Sequence, residues 1–451
     1  MNSRTQQHSL MGHPRGLVWL SSAEFWERFS YYGMQSLLVL YMTRRLLLPG
    51  ELEHIAGFRV FRSAVESLYG TLTPQALASI IFGMYAGGVF LTPILGGYVA
   101  DRLIGRTRTV VLGALLMAAG HFLMAFAATF LLALLCLLAG SGFFKGNIAA
   151  QVGELYEPGD PRASTGFQIY FMAISLAIVA APLVCGTLGE RYGYHWGFGA
   201  AGAGMLIALT IYLRGRAALP PDRTRTDAKF NRRTLAPGEG RKLALMLALL
   251  PIFGAAQVAD YQAYNAYIVW AADTYEFHVL GMSMPVTWLF SFGSVVAVLM
   301  IGGSVVFWRR WTRRRLEPDE ITKMTLATLI LSLAPLVPAL GSHLAAVSGH
   351  RIGLGWAVLF ETLNDIGYAN FVPVGLALYA RVGPRALSGM MAGIYYLHLF
   401  AANMLAGWLG SFLERMSGER FWLMHTAIVL GAGISLALLR KVVARVLVPS
   451  S

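Results

Sequence analysis

EFWERFSYYGM, residues 24–34, sets two glutamates and an arginine inside a stretch whose flanks are leucine-rich and aromatic. A charged side chain at the centre of a bilayer costs about 3 kcal/mol on insertion scales, and such residues mark pathways and sites rather than filler. Whether this stretch lies in a membrane is therefore the first question. Composition answers it. The chain has 451 residues, 56% hydrophobic and only 13% charged, where soluble domains carry about 25%. Mean hydropathy is +0.57. Residues 74–100, 109–141, 163–189 and 421–439 are apolar runs, each long enough to cross a hydrocarbon core of roughly 30 Å.

Twelve spans account for the pattern, near 17–43, 74–99, 109–128, 130–150, 163–188, 194–213, 243–271, 285–307, 321–341, 352–379, 386–413 and 421–447. The net charge is +13. With the N-terminus inside, most of the 36 Lys and Arg fall on the cytoplasmic segments, which is the positive-inside bias. The basic balance reports topology, and a nucleic-acid partner is not expected. Both termini are expected in the cytoplasm of a multi-pass plasma (inner) membrane protein. The polar start MNSRTQQHSLMGHPRG reads as the lead into a retained first span. Cys136 and Cys185 both fall in apolar spans and read as small buried hydrophobes.

Residues 214–242, RGRAALPPDRTRTDAKFNRRTLAPGEGRK, are basic and proline-containing, with no apolar period. They read as a cytoplasmic linker. Residues 1–213 then form one six-helix bundle and 243–451 another. That is the layout of major facilitator transporters, all-α membrane proteins whose substrate site lies between the halves near the bilayer midplane. Glycines at Gly83/Gly87, Gly142/Gly146, Gly193/Gly197 and Gly389/Gly393 have the spacing that lets helices approach closely. Between the second and third spans, GGYVADRLIGRTRT, residues 96–109, resembles the superfamily's G-x-x-x-D-R-x-G-R loop through Gly97, Asp101, Arg102, Gly105 and Arg106, with one extra residue before Gly105. Asp101 and Arg102 are expected to act conformationally, as a latch between states.

In the first span Glu24, Glu27, Arg28 and Tyr31 stand at i, i+3, i+4 and i+7, on one helix face. Two roles are open to this face: a carboxylate that carries a proton beside a movable counter-ion, or a static ion-pair brace. Lys145 either snorkels to the interface or faces a central cavity. Here a resemblance becomes specific. Glu24, Glu27, Arg28, Phe29, Tyr31, Tyr32 and Gly33 match the E-x-x-E-R-F-x-Y-Y-G signature of the proton-dependent oligopeptide transporter family. GSGFFKGNIAAQVGELY, residues 140–156, resembles that family's F-K-P-N segment, with Gly146 in place of proline. FQIYFMAISLAIVAAP, residues 167–182, resembles another signature, with Phe171, Ser175 and Ala177 as departures. GYHWGFGAAGAGM and FVPVGL also fit.

The resemblance implies that Glu24, Glu27, Arg28 and Lys145 couple proton movement. It places Arg28, Tyr31, Tyr32, Lys145, Asn147 and Ser175 at a site for short peptides or peptide-like compounds, in a monomer without cofactor or metal. In the second half the family's glutamate–glutamine pair aligns with Tyr261 and Gln262. Its eighth-span asparagine falls on Gly293, its tenth-span glutamate on Tyr368 and its eleventh-span tryptophan on Ile394. The residues offer substitutes. Gln257, Asp260, Tyr261 and Tyr264 share one face, and Glu361, Asn364, Asp365 and Tyr368 another. Asp365 stands three residues, roughly 4.5 Å of rise, from the expected position, and so joins Tyr261, Gln262 and Tyr368 as a substrate-binding candidate. Asp260 and Glu361 are open to the same use or to bracing helices. The expected function is proton-coupled transport by alternating access. The alternatives are a proton antiporter exporting a peptide-like product and a substrate-sensing receptor. An enzyme is not expected: His121, His195, His343 and His398 are scattered, and no H-E-x-x-H or paired-aspartate motif occurs.

Overall fold

The structure, a computed structural model, describes residues 9–10, 12–157, 160–221, 235, 238–279, 281–384, 387 and 390–447. Most of the expected linker, 222–234 and 236–237, lies outside the described residues, as does Gly389. The described chain is helical almost throughout: α1 Arg15–Tyr41, α2 Phe58–Tyr69, α3 Pro74–Val99, α4 Arg106–Leu123, α5 Phe130–Glu154, α6 Arg162–Ala181, α7 Thr187–Tyr192, α8 Tyr194–Gly215, α9 Glu239–Tyr261, α10 Ile268–Thr274, α11 Trp288–Trp311, α12 Glu320–Leu331, α13 Leu336–Ser348, α14 Gly355–Val382, α15 Met391–Gly410 and α16 Gly418–Leu447. Each of the twelve expected spans falls on one or two of these helices. Eight helical segments among the described residues are long and apolar enough to cross a membrane: Pro74–Ile104, Ala127–Glu154, Arg162–Tyr192, Tyr194–Ala218, Glu239–Thr274, Trp288–Trp311, Glu320–Ser348 and Gly418–Leu447. The chain is a multi-pass membrane protein.

Two compact units divide it. One comprises residues 1–70 and 91–228, the other 71–90 and 229–451. In the first unit α1 packs against α6 and α8. Gly33 lets α1 also approach the π turn Pro182–Gly186 that follows α6: a β-carbon there would sit 2.5 Å from Cys185 Sγ. Gly113 on α4 and Gly140 on α5 approach each other's carbonyls, at 2.8 and 2.7 Å from a β-carbon at either position. Glycine spacing marks such approaches at Gly142, against Thr92, and at Gly197, against Leu37. It does not at Gly146, whose β-carbon would meet Pro93 at an ordinary 3.7 Å. Gly105, at φ 83°, ends the π turn Ala100–Ile104 and starts α4.

In the second unit Gly83 lies on the backbone of α15, 2.7 Å from the Asn403 carbonyl for a β-carbon. Gly393 has open space instead. Phe253, Phe371, Tyr379 and Tyr395 centre the aromatic core. The seventh span breaks. Between α9 and α10 lies the π turn Ala263–Tyr267, where Asn265 leaves helical geometry at φ −117°, ψ −106°. Gln262 holds the break. Its Nε2 donates to the Ala406 carbonyl at 2.9 Å, its Oε1 accepts from the Ala266 amide at 3.3 Å, and Nε2 also lies 2.9 Å from His425 Nε2. His425 Nδ1 lies 2.9 Å from the Phe421 carbonyl. Donation there leaves Nε2 as the acceptor for Gln262.

Candidate functional site

In the first unit the charged face of α1 is closed in. Glu24, Glu27 and Arg28 are all buried. Arg28 Nε donates to Glu24 Oε1 at 2.7 Å and lies 2.8 Å from Glu27 Oε2. The second contact is misaligned for a hydrogen bond, so neither Glu27 oxygen receives a donor, and both are shielded from solvent. One arginine thus faces two carboxylates. An acid left without a donor in a low-dielectric site pays a desolvation cost that a proton relieves.

One turn on, Tyr31 is buried and Tyr32 half-buried, their rings edge to face at 5.1 Å. Lys145 of α5 is half-buried, with its ammonium 3.8 Å from the Tyr31 ring centroid, while the Arg28 guanidinium carbon lies 5.9 Å from that centroid. Lys145 and Glu27 lie within electrostatic reach of each other. The structure therefore brings Glu24, Glu27, Arg28, Tyr31 and Lys145 together. Asn147, also buried, is turned to other use: its Nδ2 donates to the carbonyls of Gly96, at 3.3 Å, and Phe143, at 2.9 Å, tying α5 to α3. The Ser175 hydroxyl donates back to the Phe171 carbonyl at 3.1 Å. In the loop after α3, Asp101 lies 3.4 Å from Arg106, which also pairs with Glu154 at the end of α5. Arg102 stands in the same π turn.

The second unit carries an acidic group of its own. Asn364 Nδ2 donates to Asp260 Oδ1 at 2.6 Å, joining α14 to α9. Asp260, Glu361 and Asp365 lie within electrostatic reach of one another, and no Lys or Arg pairs with them among the described residues. Asp365 Oδ2 and Asn364 Oδ1 are buried without a hydrogen-bond partner. Glu361 lies over Gly293 of α11, where a β-carbon would stand 2.9 Å from both Cδ and Oε2 of the carboxyl group. The absence of a side chain at 293 is what the Glu361 carboxylate occupies. Sequence reading found both acidic stripes but not this contact, whose only trace in the sequence is a glycine where the family resemblance expects asparagine. Tyr261 meets Phe90 edge to face at 6.4 Å, and Tyr368 is half-buried on the core. Gln262 is spent on the helix break. Among the described residues no three His, Cys, Asp or Glu side chains are arranged to hold a metal ion.

The chain as a whole is similar to known transporters. The family model described as POT family matches residues 107–232. The peptide transporter YePEPT of Yersinia enterocolitica subsp. palearctica is 28% identical, covering 90% of this chain and 89% of its own. A di-/tripeptide transporter of Lactococcus lactis subsp. lactis is also 28% identical, over 93% of this chain and 83% of its own. The crystal structure of a peptide transporter POT in complex with sulfate superposes with a TM-score of 0.84 at 24% identity, covering 98% of this chain and 97% of that one. Its fold, the major facilitator fold, is the fold seen here. From the α1 signature and these matches together, the chain is similar to transporters of the POT family.

Proposed function

We propose that this protein is a proton-coupled transporter that carries short peptides or peptide-like compounds across the inner membrane by alternating access. The observation that carries the reading is Glu27. It is buried beside Arg28 with both carboxylate oxygens lacking a donor, which is the condition of a group that takes up and gives back a proton. Peptide transport by the similar proteins of Yersinia and Lactococcus supports the cargo class. Arg28, Lys145, Tyr31 and Tyr32 supply cations and hydroxyls suited to a peptide carboxylate, and Glu24 holds Arg28 in place. Twelve spans put both termini and the 214–242 linker in the cytoplasm, with residues 1–213 and 243–451 as the two bundles. Asp101 and Arg102 act in the conformational cycle, and one chain is the working unit.

The second-half acids favour a particular cargo. With Tyr261 and Tyr368 where the resemblance expects glutamates, Asp260, Glu361 and Asp365 are the carboxylates the second half offers to a ligand amine, and the tyrosines add aromatic surface. A bulky, modified or N-blocked peptide-like compound fits better than a plain dipeptide. The test is uptake into proteoliposomes. A protonophore should abolish accumulation, and Glu27→Gln should abolish gradient-driven uptake while sparing counterflow exchange. Concentrative uptake by the Glu27→Gln protein would sink the coupling assignment.

A further inference from the structure

The stretch FWRRWTRRRL, residues 307–316, is not used by the transport site. It forms the last turn of α11 and the turn beyond, on the side that the positive-inside pattern makes cytoplasmic. Arg309, Arg310, Arg313, Arg314 and Arg315 are all exposed. None of the five forms an ion pair among the described residues, although acids stand close by in sequence. Those acids are committed elsewhere. Glu317 pairs with Lys323. Asp319 caps α12, accepting from the Thr322 amide at 2.8 Å and its hydroxyl at 2.7 Å. Glu320 lies 2.8 Å from Arg381 Nη2. Topology explains why arginines lie here, but not why every neighbouring acid is turned away from them.

The scaffold under the arginines is aromatic and fixed. Trp308 Nε1 donates to Asn370 Oδ1 at 2.6 Å, and the Lys323 ammonium stands 4.6 Å from the Trp308 ring centroid. Trp311 Nε1 donates to the Leu316 carbonyl at 3.2 Å, and Arg315 lies over the Trp311 ring at 4.9 Å. Leu316 itself is 95% exposed. Val305, Val306 and Phe307 are exposed on the shaft of α11 just below, so the patch begins where an apolar, lipid-facing surface ends. Tryptophans at such a boundary sit at headgroup level, and clustered basic residues cytoplasmic of a span attract anionic headgroups.

We propose that this cluster binds the phosphodiester headgroups of anionic phospholipids, with Phe307 and Leu316 seated among the acyl chains. Guanidinium groups suit phosphate oxygens because they offer donors in a planar fork. Each arginine contributes roughly fivefold to the preference for an anionic over a zwitterionic lipid.

The experiment uses the full-length protein in nanodiscs of phosphatidylcholine mixed with phosphatidylglycerol. The lipid that stays bound after transfer to detergent is read by mass spectrometry. The double variant Arg313→Gln/Arg314→Gln should lose phosphatidylglycerol enrichment by roughly tenfold or more. Arg440→Gln/Lys441→Gln removes equal charge from exposed positions on α16 and should leave enrichment unchanged. Leu316→Ser should reduce it without changing charge. Counterflow by each variant shows that it is folded. The proposal fails if both double variants lose enrichment equally, since surface charge alone then suffices. It also fails if neither loses any, if Leu316→Ser has no effect, or if inorganic phosphate displaces the lipid completely, which would mark a free-anion site.

Discussion

Gly293→Ala tests whether the second-half acids are placed for a purpose. The added β-carbon would stand 2.9 Å from Cδ and Oε2 of Glu361. Carbon atoms rest at about 3.5–4.0 Å from their neighbours, so the carboxylate must withdraw by roughly 0.6–1 Å or turn to another rotamer. Overpacking of this kind costs about 1–3 kcal/mol. Replacing a mid-helix glycine by alanine gains up to about 1 kcal/mol, so the net change in stability is small and by itself ambiguous. The same helix supplies the control. Gly302 and Gly303 have nothing within 4 Å of a β-carbon, so Gly302→Ala receives the helix gain without the clash. The difference between Gly293→Ala and Gly302→Ala isolates the Glu361 contact. In counterflow with a panel of ligands, Gly293→Ala should change the ranking of amine-bearing against N-blocked compounds, and Gly302→Ala should not. Identical rankings and identical thermal midpoints for the two variants would refute the idea that Gly293 seats Glu361.

Three other expectations follow from the same geometry. Asp365→Asn should weaken ligands with a free amine, and Tyr368→Glu should shift preference toward unmodified dipeptides; equal transport of dialanine by all three proteins would end the relocated-acid reading. His425→Leu removes the acceptor for the buried Gln262 amide and should lower thermal stability by about 1–3 kcal/mol, with Gln262→Leu non-additive on top of it. A cysteine at Gly240, where a side chain meets open space, should resist an impermeant thiol reagent in intact cells and react after lysis; labelling in intact cells would overturn the cytoplasmic linker.

Hydropathy made the fold class legible because a bilayer imposes one rule on every span: apolar side chains outside and backbone satisfied within the helix. The charges of α1 were legible for the opposite reason, since they break that rule. Other features left weaker marks. The amphipathic helix α2 has apolar residues at Phe58, Phe61, Val65 and Leu68, yet it is too short to announce itself among longer apolar runs. The break at Asn265 leaves no Pro or Gly in the sequence, because it is held from outside by the carbonyl of Ala406 and the ring of His425. Asn147 shows the limit of motif reading. The segment match is real, but the side chain is spent on the carbonyls of Gly96 and Phe143. Contacts across sequence distance, such as Glu361 over Gly293, depend on helix rotation about its axis, which composition does not encode.

The break in the seventh span works as a lever. The seven residues of α10 beyond it make an arm of roughly 10 Å. The free end of that arm is lashed to the chain just before α14, through Ile352 N to the Thr274 carbonyl at 3.0 Å and Glu276 N to the Ile352 carbonyl at 2.9 Å. Residue 352 stands three positions ahead of the helix that bears Glu361 and Asp365. Main-chain bonds thus tie the arm beyond Asn265 to the root of the acidic helix, so a tilt at the asparagine would be passed to the helix that carries Glu361 and Asp365.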